Sequence, residues 1–437
     1  MILVSNIMLP LDADFSDLAP VAAKALKTDI SKIRSASLFK KSVDARKKPD
    51  IKFCVSILCE VSGDEAKIIK KNKNALCYTE PVYTYKKCKA MIEHRPVVVG
   101  FGPAGMFCAL ALARAGLKPI VAERGNDVDT RTKDITAFFG GARLKPESNI
   151  QFGEGGAGTF SDGKLNTGIK DKRIREILKT FVLFGAPENI LTDAKPHIGT
   201  DILKKVVKNI REEIISLGGE VRFGCLFEGA EFQNGKLDFA TLGGEKVKTD
   251  TLVLAIGHSA RDTFKSLYES GFSMEKKPFA VGVRIEHLQS DINKSLYGDL
   301  AENENLGAAD YKLAVHLESG RGVYTFCMCP GGEVVNASSE QGGIAVNGMS
   351  ENARNGKNAN SAVLVGIDPA DFPSDDVLSG IELQRSIEQK AYKIGSGAVP
   401  ITTLGNLLEG KPPVIGKVIP TVKPATVFAC TVCRIER

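Results

Sequence analysis

Residues 96–124 read PVVVGFGPAGMFCALALARAGLKPIVAER, and the reading of the whole chain works outward from them. Pro96 opens a short β-branched run, Val97 to Val99, and Gly100, Gly102 and Gly105 then supply G-x-G-x-x-G where a strand should turn into a helix. Gly100 permits the tight turn, Gly102 lets the backbone approach a pyrophosphate, and Gly105 lets the helix pack on the strand without a Cβ in the way. Pro103 and Ala104 open a helix whose first N–H groups face the phosphate. That helix is rich in Ala and Leu and ends at Gly116, after which residues 119–122 give a second strand. Glu123 closes the unit about 20 residues after the first glycine, where an acid reaches the ribose hydroxyls of an adenosine. Strand, helix, strand and acid in this order predict a dinucleotide site. A membrane span is excluded, because the uncharged run is short and contains glycines and Pro103.

A second G-x-G-x-x-G occurs at Gly153, Gly155 and Gly158, but no apolar helix comes after it, so it reads as a loop. It lies in a weakly periodic, glycine-rich region, residues 138–168, of a length uncommon in a compact domain unless functional. Within it, GEGGAGTFSDGKLNTG places Gly155, Gly156, Asp162 and Lys164 where backbone donors and polar side chains can meet a cofactor. Helical periodicity appears next at 172–184 and 200–217. Three short strands come after these, divided by Asn234-Gly235 and Gly243-Gly244 hairpin turns. A buried strand, residues 251–257, then stops at Gly257, a second strand-to-glycine edge for a bound dinucleotide.

The 437 residues suffice for two or three domains, and 43% hydrophobic with 25% charged residues excludes a disordered chain. Residues 1–15 carry no basic n-region, which predicts no secretory signal, and ten cysteines without framework spacing predict reduced thiols in the cytoplasm. No metal-ligand spacing is present. Residues 1–95 hold 18 Lys and Arg against 11 Asp and Glu, so the net charge of +6 is an N-terminal property. Lys40, Lys41, Arg46, Lys47 and Lys48, with Lys67, Lys70, Lys71 and Lys73, read first as a solvated face and second as a site for RNA or another polyanion. Residues 1–92 form a small α+β domain in this reading, joined through the basic stretch 86–95 to the βαβ unit.

The set VVVGFGPAG, VAERG, GEGGAGTFSDGKLNTG, PHIGTD and LVLAIGHSARDT resembles the uncharacterised, NAD(FAD)-utilising FAD-dependent dehydrogenases of bacteria, within the glutathione-reductase-like flavoprotein class. SVDARKK at 42–48, AVGVRIEH at 280–287 and the long segment 324–354 extend the resemblance over most of the chain. It implies a Rossmann-like α/β domain at 93–270 with FAD at Gly100, Gly102, Pro103, Ala104 and Gly105. It also implies Glu123 on the ribose, the loop from Gly155 to Lys164 near the pyrophosphate or flavin, and Gly257 at the cofactor edge. NAD(P)H enters as a co-substrate, or as an alternative occupant of the Gly100 site with Arg124 toward a 2′-phosphate. The family closes over its flavin with a C-terminal glycine-rich segment; this sequence stops at Arg437 without one, which this reading takes as an abrupt or frame-shifted end. Cys430 and Cys433 form a C-x-x-C there.

Residues 271–437 then form a mixed α+β substrate or cap domain for an unidentified small molecule. Its strand at 279–287 places Arg284 and Glu286 on one face by period two. Glu286 and His287 are candidates for proton transfer beside a flavin, against the plainer reading of ordinary strand-end residues. Cys327 and Cys329 should share a face of a later strand as buried small residues or a redox-active pair.

Overall fold

In the computed structural model, which describes residues 1–85, 92–411 and 414–428, the chain starts with strand β1 (Ile2–Leu9), helix α1 (Ala19–Leu26), β2 (Ile33–Asp44), β3 (Lys52–Val61), helix α2 (Glu65–Lys70) and β4 (Ala75–Cys77). The order of pairing is β2-β3-β1-β4, antiparallel throughout, which is a split βαβ arrangement. Alternation decides the face: Phe53, Val55, Ile57, Cys59 and Val61 of β3 are buried with Ile2, Val4, Ala22 and Leu26. Asp64 caps α2 by accepting from the Lys67 N–H at 3.1 Å, satisfying a donor the helix itself leaves open.

The compact unit that holds this sheet consists of Met1–Thr84, Lys164–Ile198 and Gln289–Ala309. Two distant segments thus complete what begins at residue 1. Lys41 of β2 donates its N–H to the Thr192 carbonyl and accepts from the Ala194 N–H, at 2.8 and 2.9 Å. Ile51 is buried with Tyr297, Leu306 and Ala309.

The second unit consists of Tyr85–Gly163, Gly199–Leu288 and Asp310–Arg437. It opens with β5 (Val97–Val99), helix α3 (Pro103–Arg114), β6 (Ile120–Ala122) and helix α4 (Val128–Phe139). The helix Thr200–Ser216 leads to β7 (Glu220–Arg222), and an antiparallel trio comes next: β8 (Phe227–Gln233), β9 (Lys236–Leu242) and β10 (Glu245–Lys248). Its two turns have positive φ at both central residues, 53° and 74° at Asn234-Gly235 and 56° and 80° at Gly243-Gly244, the hairpin geometry expected of these pairs. Strand β11 (Leu252–Leu254) returns beside β5, giving a parallel sheet in the order β11-β5-β6-β7. Numbered along this sheet's own chain order that is 4-1-2-3, a doubly wound arrangement whose order reverses between β5 and β11.

Besides a parallel pair near the end of the chain, β18 (Val399–Ile401) with β19 (Ala425–Val427), the strands that follow are β12 (Phe279–Leu288), β13 (Ala314–His316), β14 (Gly322–Cys329), β15 (Glu333–Asn336), β16 (Val346–Met349) and β17 (Asn358–Ile367). They form an antiparallel sheet β12-β17-β14-β13 and a separate β15-β16 pair. Among the described residues no helix is long and apolar enough to cross a membrane, and no group of three or more His, Cys, Asp or Glu is placed to hold a metal.

Candidate functional site

A cleft opens at the carboxyl ends of β5, β6 and β11, where the strand order reverses, and is lined by Gly100, Glu123, Arg124, Phe152, Ile256 and Ala260 among others. The three glycines of 96–124 meet different demands. Gly100 has φ +93°, and a Cβ there would stand 2.4 Å from the Ala255 carbonyl oxygen. At Gly105 a Cβ would stand 1.9 Å from the Gly100 carbonyl oxygen, so helix α3 sits on β5 only without one. At Gly102 a Cβ would meet only the Gly156 Cα, at 3.8 Å, and φ is an ordinary −71°. The protein itself therefore imposes no glycine at 102. The N–H groups of Ala104 and Gly105, in the first turn of α3 after Pro103, make no hydrogen bond among the described residues.

The second glycine motif is folded against the first. Gly155 donates its N–H to the Phe101 carbonyl at 2.9 Å, and a Cβ on Gly156 would approach the Gly102 Cα to 2.9 Å. Glu123, 4% exposed, ties the two together: its carboxylate accepts from the N–H groups of Phe101 (2.7 Å), Gly125 (2.9 Å) and Gly153 (2.9 Å). Below the loop lies Arg131 of α4, fully buried, which donates to the carbonyls of Asn149 (2.9 Å), Ile150 (2.9 Å) and Glu154 (2.6 Å) and stacks 4.8 Å from the centre of the Phe160 ring. Burial pulls its guanidinium down to about 10, opposed by Glu123 and Glu154, so it stays charged at neutral pH. Burial raises the Glu154 carboxyl against the Val128 N–H bond and Arg211, 3.2 Å away. The sequence reading missed Arg131, yet a signal was there: Val128, Arg131 and Ile135 fall on one helical stripe, so a cation shares the apolar face.

Arg124 lines the cleft but is held by Glu147 (2.6 Å) and by both oxygens of Asp262 (2.9 and 2.6 Å), with its guanidinium 4.4 Å from the Phe152 ring centre. Burial works against the charges of this pair; the mutual hydrogen bonds outweigh it, holding Arg124 above and Asp262 below their ordinary values. Asp162, 1% exposed, accepts from the Ser350 hydroxyl and from Arg354, with its Nε at 3.0 Å. Lys164 belongs to the first unit, bridged to His197. Gly257 has φ +69°, and its neighbour Ile256 lines the cleft.

None of the candidate proton-transfer and thiol residues is among the residues that line the cleft. Glu286 accepts from the Thr421 hydroxyl (2.6 Å) and N–H (3.2 Å) and from Asn358 (3.1 Å). His287, next along β12 and so on its opposite face, has its Nε2 3.2 Å from the Tyr311 hydroxyl. Cys327 and Cys329 form no disulfide among the described residues. The pairing of β14 with β17 slips between Phe326 and Cys329, and Cys327 has φ +45°, so a bulge interrupts the alternation on which a shared face depends. Arg284 donates to the Cys327 carbonyl at 2.7 Å and reaches the Cys329 sulfur at 3.4 Å. Cys430 and Cys433 lie outside the described residues.

A doubly wound sheet with a cleft at its switch point and a glycine-lined helix start defines the dinucleotide-binding class. Residues 278–433 match the family model described as FAD-dependent protein, C-terminal domain-like, and residues 1–60 match a domain of unknown function. An uncharacterized protein of Clostridium beijerinckii is 46% identical over 424 residues, covering 96% of this chain and 80% of that protein; the chain belongs to its family. Among solved structures, an L-amino acid deaminase from Proteus vulgaris is 16% identical with a TM-score of 0.24, over 48% of this chain and 56% of that one. A glycerol-3-phosphate dehydrogenase from Bacillus halodurans complexed with FAD is 11% identical with a TM-score of 0.31, over 65% and 49%. The chain spans about half the length of these two proteins, and at such TM-scores neither likeness bears on the reaction.

Proposed function

We propose that the chain binds FAD in the cleft at the ends of β5, β6 and β11 and acts as an FAD-dependent oxidoreductase, moving a hydride or electrons between the flavin and a small molecule. The observation that carries this reading is the unexplained glycine at 102: the fold leaves room for a Cβ there, whereas a pyrophosphate drawn onto the open N–H groups of Ala104 and Gly105 does not. Gly102, Pro103, Ala104 and Gly105 hold the pyrophosphate, Glu123, whose carboxylate already takes three backbone N–H groups, shapes the cleft wall at the ribose end, and the loop through Gly155 and Gly156 borders the same helix start. Bound FAD supplies the redox chemistry, and the protein orients the substrate and tunes the ring. The match of residues 278–433 to an FAD-dependent protein domain supports the choice of cofactor. Arg124 is already engaged by two carboxylates, which speaks against its recruiting a 2′-phosphate.

Titrating the purified chain with FAD, read by flavin fluorescence and by co-elution on gel filtration, tests the proposal. Gly102→Val should weaken binding at least about 30-fold, the loss of two charge-assisted contacts of roughly 1 kcal/mol or more each, while circular dichroism stays unchanged. Equal affinity in the variant, or no uptake of FAD by the wild type, sinks the reading.

A further inference from the structure

The second unit contains a larger cavity, about 440 Å³, that shares no lining residue with the cleft and lies within the ~300–1,000 Å³ range of small-molecule sites. It is bounded by the end of α4 and the chain just after it, by residues 336–344 and by the last turn of the helix Ser379–Ile394 with the residues just beyond it. Phe138, Leu144 and Ile344 give it apolar walls.

Three of its lining side chains, Asn336, Arg143 and Tyr392, carry open donors. Asn336 is 3% exposed; its side-chain carbonyl is used by the Ser338 N–H (3.1 Å) and hydroxyl (2.6 Å), while its amide nitrogen, on a residue lining the cavity, has no partner among the described residues. The Tyr392 hydroxyl likewise makes no hydrogen bond among them. Arg143 donates once, to the Gln341 side-chain carbonyl at 2.6 Å, and pairs with no described carboxylate. The one acid among the described lining residues, Glu340, is bound by Arg261 at 3.0 Å and by Arg385 at 2.9 and 2.8 Å, so its charge is already answered. The Asn336 amide nitrogen is not sealed from solvent, so its N–H groups are open to an acceptor that enters the cavity.

We propose that this cavity binds a small organic anion, a carboxylate or phosphate ester carried on an apolar body. Its oxyanion takes the Asn336 amide, the Tyr392 hydroxyl and the open N–H groups of Arg143, and its body lies against Phe138, Leu144 and Ile344. An acceptor-only group matches this donor set, and a guanidinium without a carboxylate partner supplies the charge. The site does not depend on the FAD reading, and its test reads binding rather than redox turnover.

Calorimetric titration of the full chain with phenylacetate, phenyl phosphate, phenylacetamide and inorganic phosphate decides the matter. At least one of the two aryl anions should bind saturably at one site, and the neutral amide and inorganic phosphate at least about tenfold more weakly. The stronger of the aryl pair identifies the oxyanion as carboxylate or phosphate. Arg143→Gln should weaken that ligand about 10- to 100-fold and Tyr392→Phe about fivefold. Both positions are exposed, so the fold should survive, with circular dichroism as the check. The proposal is overturned if neither aryl anion saturates, if the amide or inorganic phosphate binds as tightly, or if both variants titrate like the wild type.

Discussion

At Gly105 the space for a methyl group is taken by a backbone carbonyl oxygen, and at Gly102 it is not. Gly105→Ala should therefore cost about 1–3 kcal/mol in urea unfolding, because helix α3 must lift from β5. Gly102→Ala should cost no more than about 1 kcal/mol, the effect of a poorer helix start. Equal costs would mean that the two glycines serve one steric purpose. Arg131 is the opposite case, a side chain wanted for all its donors. Arg131→Met should destabilise by about 3 kcal/mol or more, since three buried carbonyls lose their partner, and should weaken FAD binding by freeing the glycine loop; Arg131→Lys should recover little, having no planar fork to reach three acceptors. Unfolding and FAD titrations of both variants check this, and full recovery by Lys would count against it. The glycines were legible in the sequence because each sits at a fixed offset from a strand and helix. The place of Arg131 on an apolar stripe was legible too, but its partners were not, since its acceptors, 18 to 23 residues on, obey no period.

Among the elements, strand β3 announces itself by alternation, and the hairpins at Asn234-Gly235 and Gly243-Gly244 by residues that accept positive φ. The bulge at Cys327 gave no such notice, because a register slip is set by what β17 offers across the ladder rather than by β14 itself. Between elements, Glu340 joins residues 336–344 to Arg261 and to Arg385 of the helix Ser379–Ile394. Its carboxyl lies below the ordinary glutamate value, first through the hydrogen bonds from Arg385, with burial opposing and the Arg261 charge adding to the effect. A carboxyl depressed in the folded state contributes stability that is complete above its unfolded value and is lost as pH falls through the folded one. Wild type should therefore exceed Glu340→Gln in urea midpoint at pH 7, and the gap should close as the pH drops below the usual glutamate range. A gap that is unchanged or widens on acidification would show that the charge is not what joins these elements.

On the scale of the whole molecule, residues 1–92 read from sequence as a separate module because hydrophobic periodicity is a local signal. The compact unit beginning at Met1 also takes in Lys164–Ile198 and Gln289–Ala309, and no pattern within a window relates Ile51 to Tyr297 or Lys41 to Thr192. This makes a definite prediction for truncation. Removing residues 1–84 strips Tyr297, Leu306 and Ala309 of Ile51, and takes from residues 192–194 the strand edge on which they are bonded. Burial of one such side chain is worth roughly 1.5–3 kcal/mol, and the same deletion removes Glu80 from Lys179, Phe39 from Arg175 and Lys48 from the Ser295 carbonyl, enough to loosen both segments. Limited proteolysis of the truncated chain should therefore cut first within 164–198 and 289–309, at positions protected in the full chain. The doubly wound sheet draws its strands β5, β6, β7 and β11 entirely from the other unit, so fragments spanning 97–163 and 199–288 should persist longest. Cleavage that begins instead within 97–163 would mean that the loss of residues 1–84 is felt by the doubly wound sheet more than by the segments grouped with them.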